Sequence, residues 1–196
     1  EIQSPIAEKN RSMFPVIEEN CESALIETEY MENGTFLDFI QKCHKTHKID
    51  PTIQSKIVYG VAAIMNRLYK NKIIHLDLLR NIYLDENFEP KIQLTRWSFM
   101  IEDQLEIRLD DISWNFIVSP EFPSEDITES VVPFSYNIFC FGCFLCCMSK
   151  YDFSFARSMK QPNFPYIVKD HIPNIPHYFE LIKRCLKHDP YDRPTF

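Results

Sequence analysis

A chain of 196 residues, 45% apolar and 25% charged, has the make-up of a globular protein with enough length for one domain and a sizeable core. Its net charge of −7, with no local run of Lys and Arg, argues against nucleic acid or an anionic membrane as the main partner. An odd count of seven cysteines does not suit a disulfide framework, and no apolar run approaches the ~20 residues that span a bilayer.

In chain order, Glu1 to Lys9 reads as a short helix, and Met13–Ile17 with Ala24–Thr28 as a pair of adjacent strands. Asn33-Gly34 breaks the pattern, and Thr35 then caps a helix through Gln41 with Asp38 in its first turn. Ile53, Ile57, Val61, Ile64, Met65 and Leu68 recur at helical steps, which predicts a long helix over Pro51–Asn71 with Asp50 as its cap. Short strands follow at Lys72–His75, Ile82–Leu84 and Lys91–Gln93, and residues 94–133, rich in charge and Pro, read as irregular. Phe134–Met148 is apolar all round, the mark of a helix in the domain centre. Cys140, Cys143, Cys146 and Cys147 lie in it among Phe, Leu and Met. They read as buried thiols in a reducing compartment rather than as metal ligands, and no signal peptide is visible, which together point to the cytoplasm. An amphipathic helix over His177–Leu186 stops at Asp189-Pro190.

Six motifs then fall in a telling order. Thr28-Glu29-Tyr30-Met31-Glu32-Asn33-Gly34 precedes Gly60-Val61-Ala62, followed by His75-Leu76-Asp77-Leu78-Leu79-Arg80-Asn81-Ile82. Ser119-Pro120-Glu121, Asn137-Ile138-Phe139-Cys140-Phe141-Gly142 and a closing run from Leu181-Ile182 to Arg193-Pro194-Thr195-Phe196 complete the series. With these motifs the chain resembles a protein kinase of the tyrosine-kinase-like branch over essentially its whole length. The resemblance implies an α+β fold: residues 1–31 as the remnant of a small lobe and its hinge, and 32–196 as a helical large lobe. The Gly-rich loop and the third-strand Lys would precede Glu1, which itself counts to the position of the C-helix Glu.

The resemblance also assigns positions. Asp77 stands at the catalytic base and Asn81 at a Mg²⁺ ligand; Glu29 and Met31 stand at the hinge and Tyr83 at the floor of the adenine pocket. His75, Asn137, and the ion pair of Glu121 with Arg193 are structural positions. Departures from the pattern concentrate in the chemistry. One residue is missing between Asp77 and Asn81, so the loop must take another path. Leu94 replaces the metal-holding Asp and offers Mg²⁺ no oxygen. Leu76 replaces the Arg that receives an activating phosphate. Asn137 replaces an Asp, and so accepts a hydrogen bond without charge assistance. ATP and Mg²⁺ are therefore implied only as weak or absent ligands, and the reading is a pseudokinase that binds other proteins. An active Ser/Thr kinase with its small lobe upstream, or a decayed fragment, are the alternatives. By family analogy the surface near Tyr151 to Phe164 is a candidate docking face, and the aromatic residues Phe153, Phe155, Phe164 and Tyr166 there read more readily as ordinary packing than as a docking patch.

Overall fold

The computed structural model describes residues 28–46, 48–95, 98–101, 105–108, 119–120, 129–132, 134–150 and 178–196, with backbone alone for 105–108, 129–132 and Lys150. Helix 1–9, the strand at Met13–Ile17, Glu1, Glu121 and the aromatic residues 153–166 lie outside the described residues, and of Ala24–Thr28 only Thr28 is within them.

The first helix, α1 (Phe36–Thr46), begins where Thr35 caps it. The Thr35 hydroxyl accepts the Asp38 N–H at 3.1 Å and donates to the Asp38 carboxylate at 2.7 Å. Phe36, Ile40 and Cys43 form its buried stripe, and Cys43 carries the helix a turn beyond the predicted end at Gln41. The second, α2 (Pro51–Lys70), starts on the Asp50 carboxylate, which accepts from the N–H groups of Thr52 and Ile53 at 2.7 and 3.2 Å. Its core face is Ile57, Val58, Val61, Met65 and Leu68. Asn71 ends it by donating side-chain and backbone N–H to the Arg67 carbonyl, and Lys72 at φ 54° reverses the chain into the first strand.

The strands are short and pair antiparallel. β1 (Ile73–His75) pairs with β4 (Ser98–Met100), β2 (Ile82–Leu84) with β3 (Pro90–Ile92), and β5 (Leu105–Arg108) with β6 (Glu129–Val132). Three of these strands fall in 94–133, which the sequence reading left irregular. They escape a local reading because their partners lie far along the chain: Ser98 pairs with His75, and Leu105 with Val132.

Helix α3 (Ser135–Lys150) is the centre of the domain, as its all-round apolarity predicts; every residue from Tyr136 to Met148 is buried. α1 meets it through Phe36 on Phe144, ring centroids 4.9 Å apart. α4 (Phe179–Cys185) lies across Gly142, shorter than the predicted 177–186, and Asp189 then caps a 3-10 turn at Pro190–Asp192. The whole is α+β and mainly helical. Among the described residues no helix is long and apolar enough to cross a membrane.

Candidate active site

The candidate site is the loop from β1 to β2, and His75 organises it. His75 is fully buried; its Nδ1 accepts the Asp77 N–H at 3.2 Å, which leaves Nε2 to donate to the Gln93 carbonyl at 3.0 Å. That pattern requires a neutral imidazole with its proton on Nε2. Burial pushes the pKa below its ordinary 6.5, while the Gln93 hydrogen bond and the Asp77 charge pull weakly the other way. The unfolded chain therefore takes up a proton below about pH 6.5 that the folded one refuses, so stability falls as pH drops through that value and is unaffected above it. Melting temperatures at pH 7.5 and 5.5 should differ more in the wild type than in His75→Gln; an equal acid-side loss in both would show that His75 is not the cause.

Asp77 and Asn81 remain in contact despite the shortened loop. The path around the missing residue is a 3-10 turn at Leu79–Asn81, with the Asn81 N–H on the Leu78 carbonyl at 3.0 Å. Asn81 Nδ2 donates to the Asp77 carbonyl at 2.6 Å, and the Gln93 N–H reaches the Asn81 carbonyl at 2.9 Å. Leu76, Leu78 and Leu79 turn into the core, so the Leu at the Arg position is a packing residue here. The tight turn also swings Arg80 back onto Asp77, Nε to Oδ1 at 2.8 Å. The Asp77 carboxylate, expected at the catalytic-base position, is thus held by a guanidinium. The sequence reading assigned Arg80 no role, although its i, i+3 spacing from Asp77 was the available signal.

The loop is tied to α3 from below. Asn137 Oδ1 accepts the His75 N–H at 3.1 Å, and its Nδ2 donates to the Ile73 carbonyl at 2.8 Å. The sequence reading gave Asn137 only an accepting role; the amide makes both bonds. Tyr136, one residue earlier and fully buried, donates its hydroxyl to the Leu76 carbonyl at 2.8 Å. Burial pushes the phenol pKa well above its usual range, so it stays a donor. Tyr136 went unremarked in the sequence, yet a Tyr within a helix apolar all round has to find its hydroxyl a partner.

Tyr83, expected at the floor of an adenine pocket, sits half-buried on β2 between the buried Ile82 and Leu84. Its backbone pairs with Thr35 on one edge and Lys91 on the other. The segment following Glu29 is stitched to the same strand: Asn33 N–H to the Leu84 carbonyl at 3.1 Å, and Leu84 N–H to the Gly34 carbonyl at 2.9 Å. Gly34 takes φ +69°, which lets its N–H turn back to the Met31 carbonyl at 3.0 Å. The Glu29 carboxylate pairs with the Lys91 ammonium, so Glu29 reaches the base of the site through an ion pair. A cavity of about 340 Å³ lies between the Met31–Gly34 turn and α1, lined by Asp38, Lys42 and Lys45 among others. Asp77, Asn81 and Tyr83 do not line it, so it is separate from the loop chemistry.

Leu94 follows directly on Gln93 and is 42% exposed, so β3 delivers a hydrocarbon side chain next to the loop that carries Asn81. Among the described residues no group of three or more His, Cys, Asp or Glu side chains could hold a metal ion. Burial pushes the Cys143 thiol well above its ordinary range and the Cys185 thiol up to about 12, so both keep their protons. Arg193, predicted to pair with Glu121, is buried with its guanidinium on the carbonyls of Lys187, His188 and Ser135.

Residues 12–196 match the family model described as protein tyrosine and serine/threonine kinase. The chain belongs to the protein kinase family. The kinase domain is similar to a probable serine/threonine-protein kinase of Dictyostelium discoideum, 29% identical over 96% of this chain and 45% of that protein. It is also 27% identical to the human tyrosine-protein kinase ABL2, over 87% of this chain and 15% of that protein. The dual specificity protein kinase pyk3 of Dictyostelium discoideum is 26% identical over 86% of this chain and 13% of its own length. The chain thus spans less than half the length of each of these relatives. Within the kinase domain, Asp77, Asn81, His75 and Asn137 are brought together around one loop, Tyr83 with Glu29 and Met31 around β2, and Arg193 stands apart beneath α3.

Proposed function

We propose that this kinase domain is catalytically deficient and works by binding other proteins in cytoplasmic signalling. The observation that carries the reading is Leu94. Mg²⁺ is a hard cation that takes oxygen ligands, and the residue that β3 presents beside Asn81 has none. Asp77 also has a carboxylate oxygen on Arg80. With Leu94 in place of an oxygen ligand, the residues present do not fit a metal-bridged triphosphate. The division into a small-lobe remnant and hinge over 1–31 and a large lobe over 32–196 belongs to the same proposal.

The contact of Asn81 with Asp77 favours a second reading, an active kinase whose Gly-rich strands and Lys lie upstream. A thermal-shift titration with ATP, with and without Mg²⁺, separates the two. The deficient domain shows no Mg²⁺-dependent rise in melting temperature. A ligand at about 100 times its Kd would stabilise by ~2.7 kcal/mol, a rise of roughly 5–11 °C for a chain of this size. Such a rise, followed by phosphate transfer that Asp77→Ala abolishes, overturns the proposal.

A further inference from the structure

Two adjacent side chains on α3 take up three backbone groups of the segment that leads to Asp77. Asn137 holds the Ile73 carbonyl and the His75 N–H, and Tyr136 holds the Leu76 carbonyl. We propose that this loop is positioned by a charge-free anchor, Tyr136 with Asn137, built so that position 137 admits an amide and rejects the carboxylate found there in the kinase pattern. The inference is independent of the proposed lack of activity, because the anchor places the loop whether or not phosphate is transferred.

Donor and acceptor count decides which side chain fits at position 137. The two groups facing residue 137 are one donor, His75 N–H, and one acceptor, the Ile73 carbonyl. A primary amide presents one of each on a single planar end; an ionised carboxylate presents acceptors alone. With Asp at 137, one carboxylate oxygen would sit where Nδ2 now lies 2.8 Å from the Ile73 carbonyl oxygen. Two acceptors would face each other at a site 2% exposed, and the Ile73 carbonyl would lose this donor. The surrounding groups give no relief. From β1 comes His75, held neutral; from the loop, Asp77, whose charge reaches Tyr136 and whose carboxylate is already paired with Arg80; from α3 itself, Tyr136, Cys140 and the protonated Cys143. The Arg193 guanidinium lies over Phe139 and on backbone carbonyls. An Asp at 137 would therefore keep its proton, because only the acid form can still donate to Ile73.

Equilibrium unfolding of the chain with Asn137→Asp, Asn137→Ala and Tyr136→Phe, each at pH 4 and 8, tests this. The unfolded Asp ionises from about pH 4 upward while the folded one keeps its proton, so Asn137→Asp should stay within about twofold of wild type at pH 4 and lose about 30-fold in its folding constant by pH 8. Asn137→Ala removes both bonds without adding charge and should show a deficit that does not change with pH. Tyr136→Phe should lose about tenfold at both values. The acid-side effect of His75 is shared by all and cancels in the differences. If Asn137→Asp fails to fold at pH 8, a cooperative transition regained at pH 4 is the expected result. A variant as stable as wild type at pH 8, an equal deficit at both pH values, or no folding at either overturns the proposal, and an unchanged Tyr136→Phe overturns the part given to Tyr136.

Discussion

Arg193→Ala lowers the stability of the domain by about 3–5 kcal/mol, as urea unfolding will measure, and Arg193→Lys recovers little of it. Arg193 is 6% exposed, and its guanidinium donates to three carbonyls: Nε to Lys187 at 2.9 Å, one terminal nitrogen to Ser135 at 3.1 Å and the other to His188 at 3.3 Å. It also lies 5.0 Å over the Phe139 ring. These contacts join the segment after α4 to the first turn of α3, so one side chain closes the end of the chain onto the central helix. Hydrogen bonds to a charged donor contribute about 1.5–3 kcal/mol each, and removing the donor leaves part-buried carbonyls to find water. Lysine keeps the charge but not the planar fork, and a single ammonium on a flexible stem does not meet three carbonyls in those directions. An alanine variant within about 1 kcal/mol of wild type would show that the contacts are solvated and add little.

Gly142→Val leaves the chain without a cooperative melt. A Cβ at this position would stand 2.8 Å from the Cys185 Cβ and 2.8 Å from Leu186 Cδ2, inside any real contact distance. Two effects oppose each other for the smaller change to Ala. Replacing a helical Gly gains up to about 1 kcal/mol of helix propensity, while overpacking a core costs about 1–3 kcal/mol. The steric effect wins because the Cys185 atom is a Cβ, fixed to its backbone, which cannot swing aside as a long side chain would. Valine adds two methyl groups to the same gap and forces α4 off α3. Circular dichroism should show helix retained and near-ultraviolet signal lost. A normal transition in Gly142→Val would mean that α4 is free to shift, and the packing argument would fall.

The candidate site was legible in part, and the parts divide by physical cause. Asp77, Asn81, His75 and Asn137 were named because each carries distinctive chemistry within a recognisable order. Arg80 and Tyr136 were passed over. Arg80 matters only because the shortened loop closes as a 3-10 turn, and Tyr136 only because its hydroxyl meets a carbonyl 60 residues away in sequence. The role of Asn137 was half seen: its accepting oxygen followed from the family pattern, whereas its donation to Ile73 depends on which backbone group lies opposite.

By itself the sequence determined what local rules govern. Thr35 and Asp50 start helices because their side chains satisfy the first free N–H groups, the apolar steps from Ile57 to Leu68 choose the face of α2, and the unbroken apolar run after Phe134 makes α3 central. It also determined the loss at Leu94, since the absence of an oxygen is a property of the residue and needs no fold. Tertiary structure alone decided the strand pairings across 94–133 and the closure of Arg80 on Asp77, and it alone set the two-way hold of Asn137 on β1. Each depends on a partner whose direction is set by distant chain. A hydrogen bond is made or lost within a few tenths of an ångström, a scale on which residue order is silent and packing decides.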